Sequence, residues 1–81
     1  MSKFKIGILG FGTVGSGVFN VLRENHDEIF AKTGIDFEIV SILDLDHEKI
    51  ISAAGDRKLI AKDIDDLISA SDVVLELIGG T

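Results

Sequence analysis

The spacing of glycines near the amino end is the feature that most constrains the fold. Gly10-Phe11-Gly12-Thr13-Val14-Gly15 matches the pattern G-x-G-x-x-G. An apolar run, residues 4–9, precedes this pattern, and apolar residues at helical spacing follow it. A strand leading into the pattern and a helix leading out of it are the context in which it binds a dinucleotide. The sequence therefore predicts a strand–turn–helix unit of the dinucleotide-binding type.

Each position of this glycine loop has its own physical role. Gly10 permits the tight turn out of the strand, Gly12 lets the backbone approach a pyrophosphate, and Gly15 lets the helix lie close to the sheet. Free N–H groups at the helix start, including those of Thr13 and Val14, would bind the phosphates, supported by the helix dipole. The alternative interpretation is a glycine-rich turn that serves only tight packing between strand and helix.

The rest of the chain alternates strands and helices. A long first helix is predicted from Thr13 to a stop at Gly34. Its apolar positions are Val14, Val18, Val21, Leu22, Ile29 and Phe30. Strands are predicted at residues 37–43, weakly at 59–61, and at 72–78. Helices are predicted at about 46–54, ended by Gly55, and at 63–68, capped by Asp63.

This alternation predicts an α/β fold of partial Rossmann type, with a parallel sheet of about four strands and helices on both faces. The chain has 81 residues, which is enough for one domain at most. A complete dinucleotide-binding sheet has six strands, so we expect residues 1–81 to be the truncated amino-terminal part of such a domain. The substrate domain is expected to be absent from this chain.

Composition argues against several other classes of protein. The net charge is −6, from 14 acidic and 8 basic residues, which disfavours a nucleic-acid partner. The chain contains no cysteine, which excludes disulfides and thiolate metal sites. No signal-peptide pattern is visible, so a cytoplasmic protein is expected. The glycine loop itself carries no lysine or arginine, because backbone N–H groups suffice to bind an anion.

One uncharged stretch has nearly the length of a membrane span. It covers the 17 residues from Ile6 to Leu22, but five of them are glycines. Each glycine costs about 1 kcal/mol inside a helix, so their clustering indicates a turn and no membrane partner is expected. Gly17 is expected to extend the close contact between helix and sheet.

The end of the second strand should carry an acid that binds the adenosine ribose. Asp44 is the first candidate and Asp46 the second. Asp44 follows Gly15 by 29 residues, more than the usual spacing of about 20, because a long helix intervenes. Neither Leu43 nor Leu45 is an arginine that could receive a 2′-phosphate, which favours NAD over NADP. The other interpretation of Asp44 is an ordinary acid in a surface turn.

Paired glycines follow the last predicted strand. Gly79-Gly80-Thr81 lies near the expected topological switch point, where a glycine backbone could run beside the nicotinamide half of a cofactor. An ordinary turn explains the same residues equally well. Glu76 is unusual because it is an acid inside an apolar strand. It either orients the following glycines or faces solvent.

Two segments together carry a resemblance to a known family. Residues 5–18, KIGILGFGTVGSGV, resemble the opening of homoserine dehydrogenases almost residue for residue. Residues 73–81, VVLELIGGT, resemble the V-V-x-E-L-I-G-G-T strand end of that family. The helix through residues 22–25 is similar as well, whereas residues 45–70 are generic.

The resemblance implies NAD(P)-dependent interconversion of L-homoserine and L-aspartate 4-semialdehyde, in the pathway to threonine and methionine. It assigns the pyrophosphate region to Phe11, Thr13 and Val14, and the nicotinamide side to Gly79, Gly80 and Thr81. Family members often have an arginine at the position of Leu43, so its absence puts NADP preference in doubt. The family's catalytic lysine and acidic substrate ligands belong to a later domain, so no catalytic residue is expected here. A homo-oligomer is expected for the full-length enzyme.

Other polar residues suggest no competing chemistry. His26 and His47 are each expected to be solvated. Capping and a solvent-exposed helix start explain the acidic residues Asp63, Asp65 and Asp66. The cluster Asp44, Asp46, His47 and Glu48 superficially resembles a metal site, but successive turn positions would not converge, so no metal is expected.

The sequence is compatible with three alternative functions. One is another dehydrogenase with the same amino-terminal half, which the E-L-I-G-G-T ending disfavours. A second is a nucleotide-sensing module that uses the same loop without catalysis. The third is a fragment that binds nothing, whose exposed last strand would pair between chains.

Overall fold

Three parallel strands form one sheet within residues 3–78, the part of the chain that the computed structural model describes. The strands are β1 (Phe4–Leu9), β2 (Phe37–Leu43) and β3 (Val73–Glu76). The α-helices of this part are α1 (Thr13–Glu24), α2 (His26–Thr33), α3 (His47–Ala54) and α4 (Ile64–Ala70), with a short 3-10 helix at Arg57–Leu59. The sheet order is β2-β1-β3, so β1 lies in the centre. The α/β class and the parallel sheet are confirmed.

The register between β1 and β2 contains one irregularity that aligns the ends of the two strands. Ile6 pairs with Ile39, but Gly7 pairs with Ser41, so Val40 is an extra residue in β2. Beyond this bulge the two strands pair again. The side chains of β2 there point to the opposite faces from those that an uninterrupted alternation would give. As a result Leu9 pairs with Leu43, and the two strands end side by side.

The main hydrophobic core lies on one face of the sheet. Side chains paired across parallel strands share a face, which places Ile6 and Ile8 with the corresponding residues of β2 and β3. The helices α1 and α3 cover this face with Phe19 and Ile50, which are 1% and 0% exposed. The buried core cluster is Ile6, Ile8, Phe11, Phe19, Phe37, Ile39, Ile42 and Ile50.

The opposite face of the sheet is covered by α4. The position of Gly7 is so tight that a Cβ atom there would collide with the Ser71 hydroxyl and lie 2.9 Å from Leu67 Cδ1. Leu67 itself is fully buried. Helices therefore cover both faces, as the sequence predicts, and Gly7 allows α4 to pack directly on the central strand.

The prediction of about four strands is not confirmed. The predicted strand at residues 59–61 forms only an isolated parallel bridge between Ile60 and Ile42. The 3-10 helix ends at Leu59, and Asp63 already caps α4, its side chain accepting a hydrogen bond from the Asp66 N–H. Only residues 60–62 lie between the end of the 3-10 helix and Asp63, which is too few for a ladder.

The prediction of one long first helix is also wrong. The helix breaks at Asn25, whose side-chain amide donates to the Val21 carbonyl at 2.8 Å. An asparagine side chain competes in this way with the regular helical hydrogen bonds. The predicted stops at Gly34 and Gly55 are confirmed, because both have left-handed backbone, with φ of 75° and 73°.

The buried side of α1 differs from the side that apolar spacing predicts. Val14 and Val21 are 57% and 56% exposed, whereas Gly15 and Phe19 are buried. The Phe19 ring packs edge-to-face on Phe11, with centroids 5.5 Å apart. This contact with the preceding loop rotates α1 away from the orientation that a simple count of apolar residues suggests.

No helix within residues 3–78 is long and apolar enough to cross a membrane.

We expect Gly7→Ala to destabilise the protein by about 1–3 kcal/mol, as overpacking does in other cores. The hydroxyl of Ser71 could rotate away, but its Cβ would still lie 3.1 Å from the new methyl group. The measurement is thermal unfolding, in which about 1 kcal/mol shifts Tm by about 4–8 °C for a chain of this size.

Gly17→Ala is the matched control. A Cβ atom at Gly17 would meet no heavy atom of the described part within 4 Å. Since alanine is favoured over glycine inside a helix by about 1 kcal/mol, this variant should melt at or above the wild-type temperature. An unchanged Tm in Gly7→Ala would contradict the packing described for α4.

Candidate functional site

The candidate site lies where β1, β2 and β3 end. The Gly10 N–H donates to the Leu43 carbonyl at 2.8 Å, and the Leu77 N–H donates to the Leu9 carbonyl at 2.8 Å. These bonds hold the glycine loop between the segments that follow its two neighbouring strands. Ligands of open α/β sheets bind at this position, outside the carboxyl ends of the strands.

Gly10 and Gly15 are required by close approaches of backbone. Gly10 has φ +96°, and a Cβ atom there would lie 2.9 Å from the Ile78 nitrogen. A Cβ atom at Gly15 would collide with the carbonyl oxygen of Gly10. The start of α1 is thereby held directly beneath the turn that leaves β1. The expected close contact at Gly17 is wrong, since this residue is exposed on the outer side of the helix.

Within the described part of the chain, the start of α1 lacks both a capping side chain and an acidic residue in its first turn. The start of α2 also lacks a side-chain cap there, but its first turn contains Asp27 and Glu28. Asp46, Asp56 and Asp63 each accept a backbone N–H at the start of α3, the 3-10 helix and α4. The N-cap of α1 is Gly12, and no side chain among residues 3–78 caps this helix. Its first turn contains no acidic residue either. An external anion is the natural partner for such a helix end.

The surface around this helix start is accessible. Gly12, Thr13 and Val14 are all exposed. A Cβ atom at Gly12 would meet no heavy atom of the described residues within 4 Å. Within residues 3–78, the first backbone N–H of the helix that has a partner is that of Ser16, which donates to the Gly12 carbonyl at 2.9 Å. The geometry therefore leaves room for a phosphate against the N–H groups of residues 13–15.

Asp44 connects the glycine loop to the end of β2. Its Oδ2 accepts from the Phe11 N–H at 2.5 Å, and its Oδ1 accepts from the Asp46 N–H at 2.9 Å. Hydrogen bonds from the Asp46 and Phe11 backbone hold the pKa of Asp44 below its usual range. Asp44 is therefore ionised at neutral pH and is a structural part of the loop. An ordinary acid in a surface turn would not accept a hydrogen bond from the loop that follows a neighbouring strand.

A slot of about 400 Å³ opens beside Asp44. Its lining is mostly apolar and consists of Leu9, Gly10, Leu43, Asp44, Leu45 and Ile78. Leu45 is 100% exposed, so its side chain has no other partner in the described part of the chain. A flat apolar ring is the type of group that such a slot can bury.

The structure brings together those predicted site residues that lie in its described part. Gly10, Gly12, Gly15 and Asp44 lie together with Thr13 and Val14 at the carboxyl end of the sheet. Phe11 belongs to the same loop by its backbone, but its side chain is fully buried in the core. Gly79, Gly80 and Thr81 lie outside the described residues. The link between Asp44 and the Phe11 N–H was not predicted, because it joins residues 33 positions apart.

The remaining polar residues are separate from this site. Glu76 is exposed on the α4 side of the sheet, paired in register with Leu9. No three His, Cys, Asp or Glu residues within the described part are placed to hold a metal ion. His47 is exposed. The expectation that His26 is merely solvated is wrong, because both of its ring nitrogens face carboxylates, those of Asp27 and Asp36.

Comparisons with known proteins agree with this geometry. Residues 10–81 match the family model described as homoserine dehydrogenase, NAD binding domain. Over 83 residues the chain is 40% identical to the homoserine dehydrogenase of Neisseria gonorrhoeae, an alignment that covers 100% of this chain and 19% of that protein.

Solved structures show the same similarity. A homoserine dehydrogenase from Thiobacillus denitrificans matches with a TM-score of 0.81 and 34% identity, covering 99% of this chain and 19% of that one. The S. aureus homoserine dehydrogenase at pH 7.5 matches with a TM-score of 0.78 and 32% identity, covering 100% and 21%. The chain thus spans about a fifth of the length of the relatives that it matches.

We expect Asp44→Asn to destabilise the folded chain by about 1 kcal/mol at neutral pH, because an amide has one accepting oxygen for two N–H donors. The lowered pKa of Asp44 makes its contribution present above about pH 4 and lost as the pH falls through the folded-state value. Thermal unfolding of both proteins at neutral pH and at about pH 3 tests this. A Tm difference that grows toward acid pH would contradict the described role.

Proposed function

The chain belongs to the homoserine dehydrogenase NAD-binding family, and from that premise we propose that its glycine loop binds the pyrophosphate of a nicotinamide dinucleotide. Gly10, Gly12 and Gly15 shape the loop, and the N–H groups of Thr13 and Val14 donate to phosphate oxygens. The uncapped start of α1 is the observation that carries this proposal. It supplies unpaired donors and the positive end of a helix dipole at an exposed position.

Asp44 is proposed to accept hydrogen bonds from the adenosine ribose. Its carboxylate already accepts from two backbone N–H groups, which fixes its position before any ligand binds. Each carboxylate oxygen can accept more than one hydrogen bond, so ribose hydroxyls can be added. The adenine ring would enter the apolar slot beside Leu43 and Leu45.

NAD is proposed to be preferred over NADP. A 2′-phosphate would lie against the ionised Asp44 carboxylate, and the residues that line the slot include no cation. Lys49 is close enough to affect the pKa of Asp44, but its effect is the smallest of the contributing causes.

The protein to which this chain contributes is proposed to interconvert L-homoserine and L-aspartate 4-semialdehyde. The dinucleotide supplies the hydride chemistry when bound, and residues 3–78 bind and orient it. The catalytic and substrate-binding groups are proposed to lie in a further domain, so hydride transfer by these 81 residues alone is not expected. Contact of Gly79, Gly80 and Thr81 with the nicotinamide side is proposed on the family resemblance alone. A homo-oligomer and a cytoplasmic location stay predictions.

Calorimetric titration with NAD tests the loop directly. We expect Gly12→Val to weaken NAD binding by more than about tenfold, or about 1.4 kcal/mol, because its side chain would occupy the space left for the pyrophosphate. The backbone of Gly12 is extended, with φ −74° and ψ −156°, and does not use the left-handed region that favours glycine. The variant should therefore fold, which its circular dichroism would verify.

Gly17→Ala serves as the matched control, since it changes an exposed glycine of the same helix away from the loop. It should bind NAD as the wild type does. Equal binding by Gly12→Val and wild type would show that the loop is not the site. A folded wild-type chain that binds neither NAD nor NADP would contradict the proposal that these residues suffice.

Leu45→Arg should increase the affinity for NADP relative to that for NAD by about tenfold, because an arginine can pair with the 2′-phosphate. Leu45 is fully exposed, so its replacement removes no packing. Leu45→Gln is the uncharged control: it removes the same apolar contact with the adenine ring, so it should change both affinities alike and leave their ratio near the wild-type value. Tighter binding of NADP than NAD by the wild type would overturn the proposed preference.

A further inference from the structure

The two ring nitrogens of His26 both lie within hydrogen-bonding distance of carboxylates. Nδ1 is 2.9 Å from Asp27 Oδ1, and Nε2 is 2.7 Å from Asp36 Oδ1. Ionised carboxylates only accept hydrogen bonds, and a neutral imidazole has only one N–H to donate. Both contacts can be hydrogen bonds at the same time only when the ring carries two protons. The geometry therefore suits the imidazolium form.

The two carboxylates have different structural roles. Asp27 belongs to the same helix as His26, and its side chain is fully exposed. Asp36 stands directly before β2, its side chain is 27% exposed, and its carbonyl accepts the Phe4 N–H at 2.8 Å. The His26 ring also packs edge-to-face on Phe37, with centroids 4.9 Å apart. The contact between His26 and Asp36 thus ties the start of α2 to the start of the sheet.

The helix that this contact holds has little other attachment. All eight residues of α2 lie in the described part, and none of them is buried. Ile29 is half-buried against the core, whereas Phe30 is 43% exposed. Elements with few buried apolar contacts open locally at low free-energy cost. One charged hydrogen bond therefore contributes a large fraction of the free energy that keeps α2 docked.

The surroundings of His26 are acidic on balance. Besides Asp27 and Asp36, five charged side chains line the groove that adjoins His26. They are Lys3 before β1, Arg23 and Glu24 of α1, Glu38 of β2 and Asp56 after α3. Arg23 is partly engaged elsewhere, since it lies over the Phe19 ring and donates to the Ala54 carbonyl at 3.2 Å. The acids outnumber the bases, which favours the charged ring.

We propose that His26 is a pH-sensitive latch, whose protonated ring holds α2 against the start of β2 and whose deprotonation lets α2 open locally. The glycine loop lies at the other end of the central strand β1, so we expect it and the sheet to stay folded when α2 opens. The latch is independent of the proposed cofactor site.

The sign of the pH effect follows from the contacts. Hydrogen bonds to Asp27 and Asp36 hold the pKa of His26 above its ordinary value in the docked state. The docked state therefore binds the proton more tightly than the open state does. The contribution of the latch is fully present below about pH 6.5 and is lost as the pH rises through the raised value.

Amide hydrogen exchange of the 81-residue chain, followed by NMR from about pH 6 to about pH 8, tests the latch. After division by the intrinsic exchange rates, the opening of α2 should increase severalfold over this range. The amides of α3 and α4 should not show this increase. An equal increase in all three helices would overturn the proposal.

Two variants and one titration complete the test. His26→Gln cannot carry the charge, so its α2 should be more open than in the wild type and should not respond to pH. His47→Gln replaces the other histidine and should keep the wild-type response. In the wild type, the ring resonances of His26 should titrate above the value of a free histidine. A wild-type pH response in His26→Gln, or titration of His26 below the free value, would refute the latch.

Discussion

The contact between the backbone of Gly10 and the start of α1 is the constraint on which the site depends. Gly15 lies so close to the Gly10 carbonyl that no side chain fits between them. This contact fixes where α1 begins relative to the end of β1, and it points the unpaired N–H groups of the helix out of the sheet. Phe11 and Phe19 pack on the core side of the same turn, so burial of two aromatic rings stabilises the geometry that exposes Gly12.

Asp44 joins this turn to the second strand through one carboxylate. The bulge at Val40 brings the end of β2 level with the end of β1, and only then does Asp44 reach the Phe11 N–H. A residue with a proposed role in binding is thus also a residue that organises the loop. An acidic chain can present a phosphate site because the charge that matters belongs to backbone dipoles, while aspartates cap α3 and α4.

The two ends of the sheet have different properties. At the carboxyl end, glycines and hydrogen bonds hold the loop rigidly, which favours binding by preorganisation. At the amino end, α2 contributes no buried residue, and an ionic contact of His26 holds it in place. The break at Asn25 separates α2 from α1, so opening of α2 need not disturb the helix start at which the phosphates are proposed to bind.

The sequence by itself determined the α/β class, the tight turn at Gly10, the close helix contact at Gly15, the span of β2 and the stops at Gly34 and Gly55. These features depend on local chemistry: side-chain periodicity, backbone freedom at glycine and capping by aspartate. Tertiary structure decided the rest. Ile60 has one partner instead of a strand, α1 turns Phe19 inward instead of Val14, and Gly17 faces solvent. Asp44 and His26 have partners 33 and 10 positions away. Such contacts depend on register and helix rotation, which arise only when the elements pack together, so no local pattern could specify them.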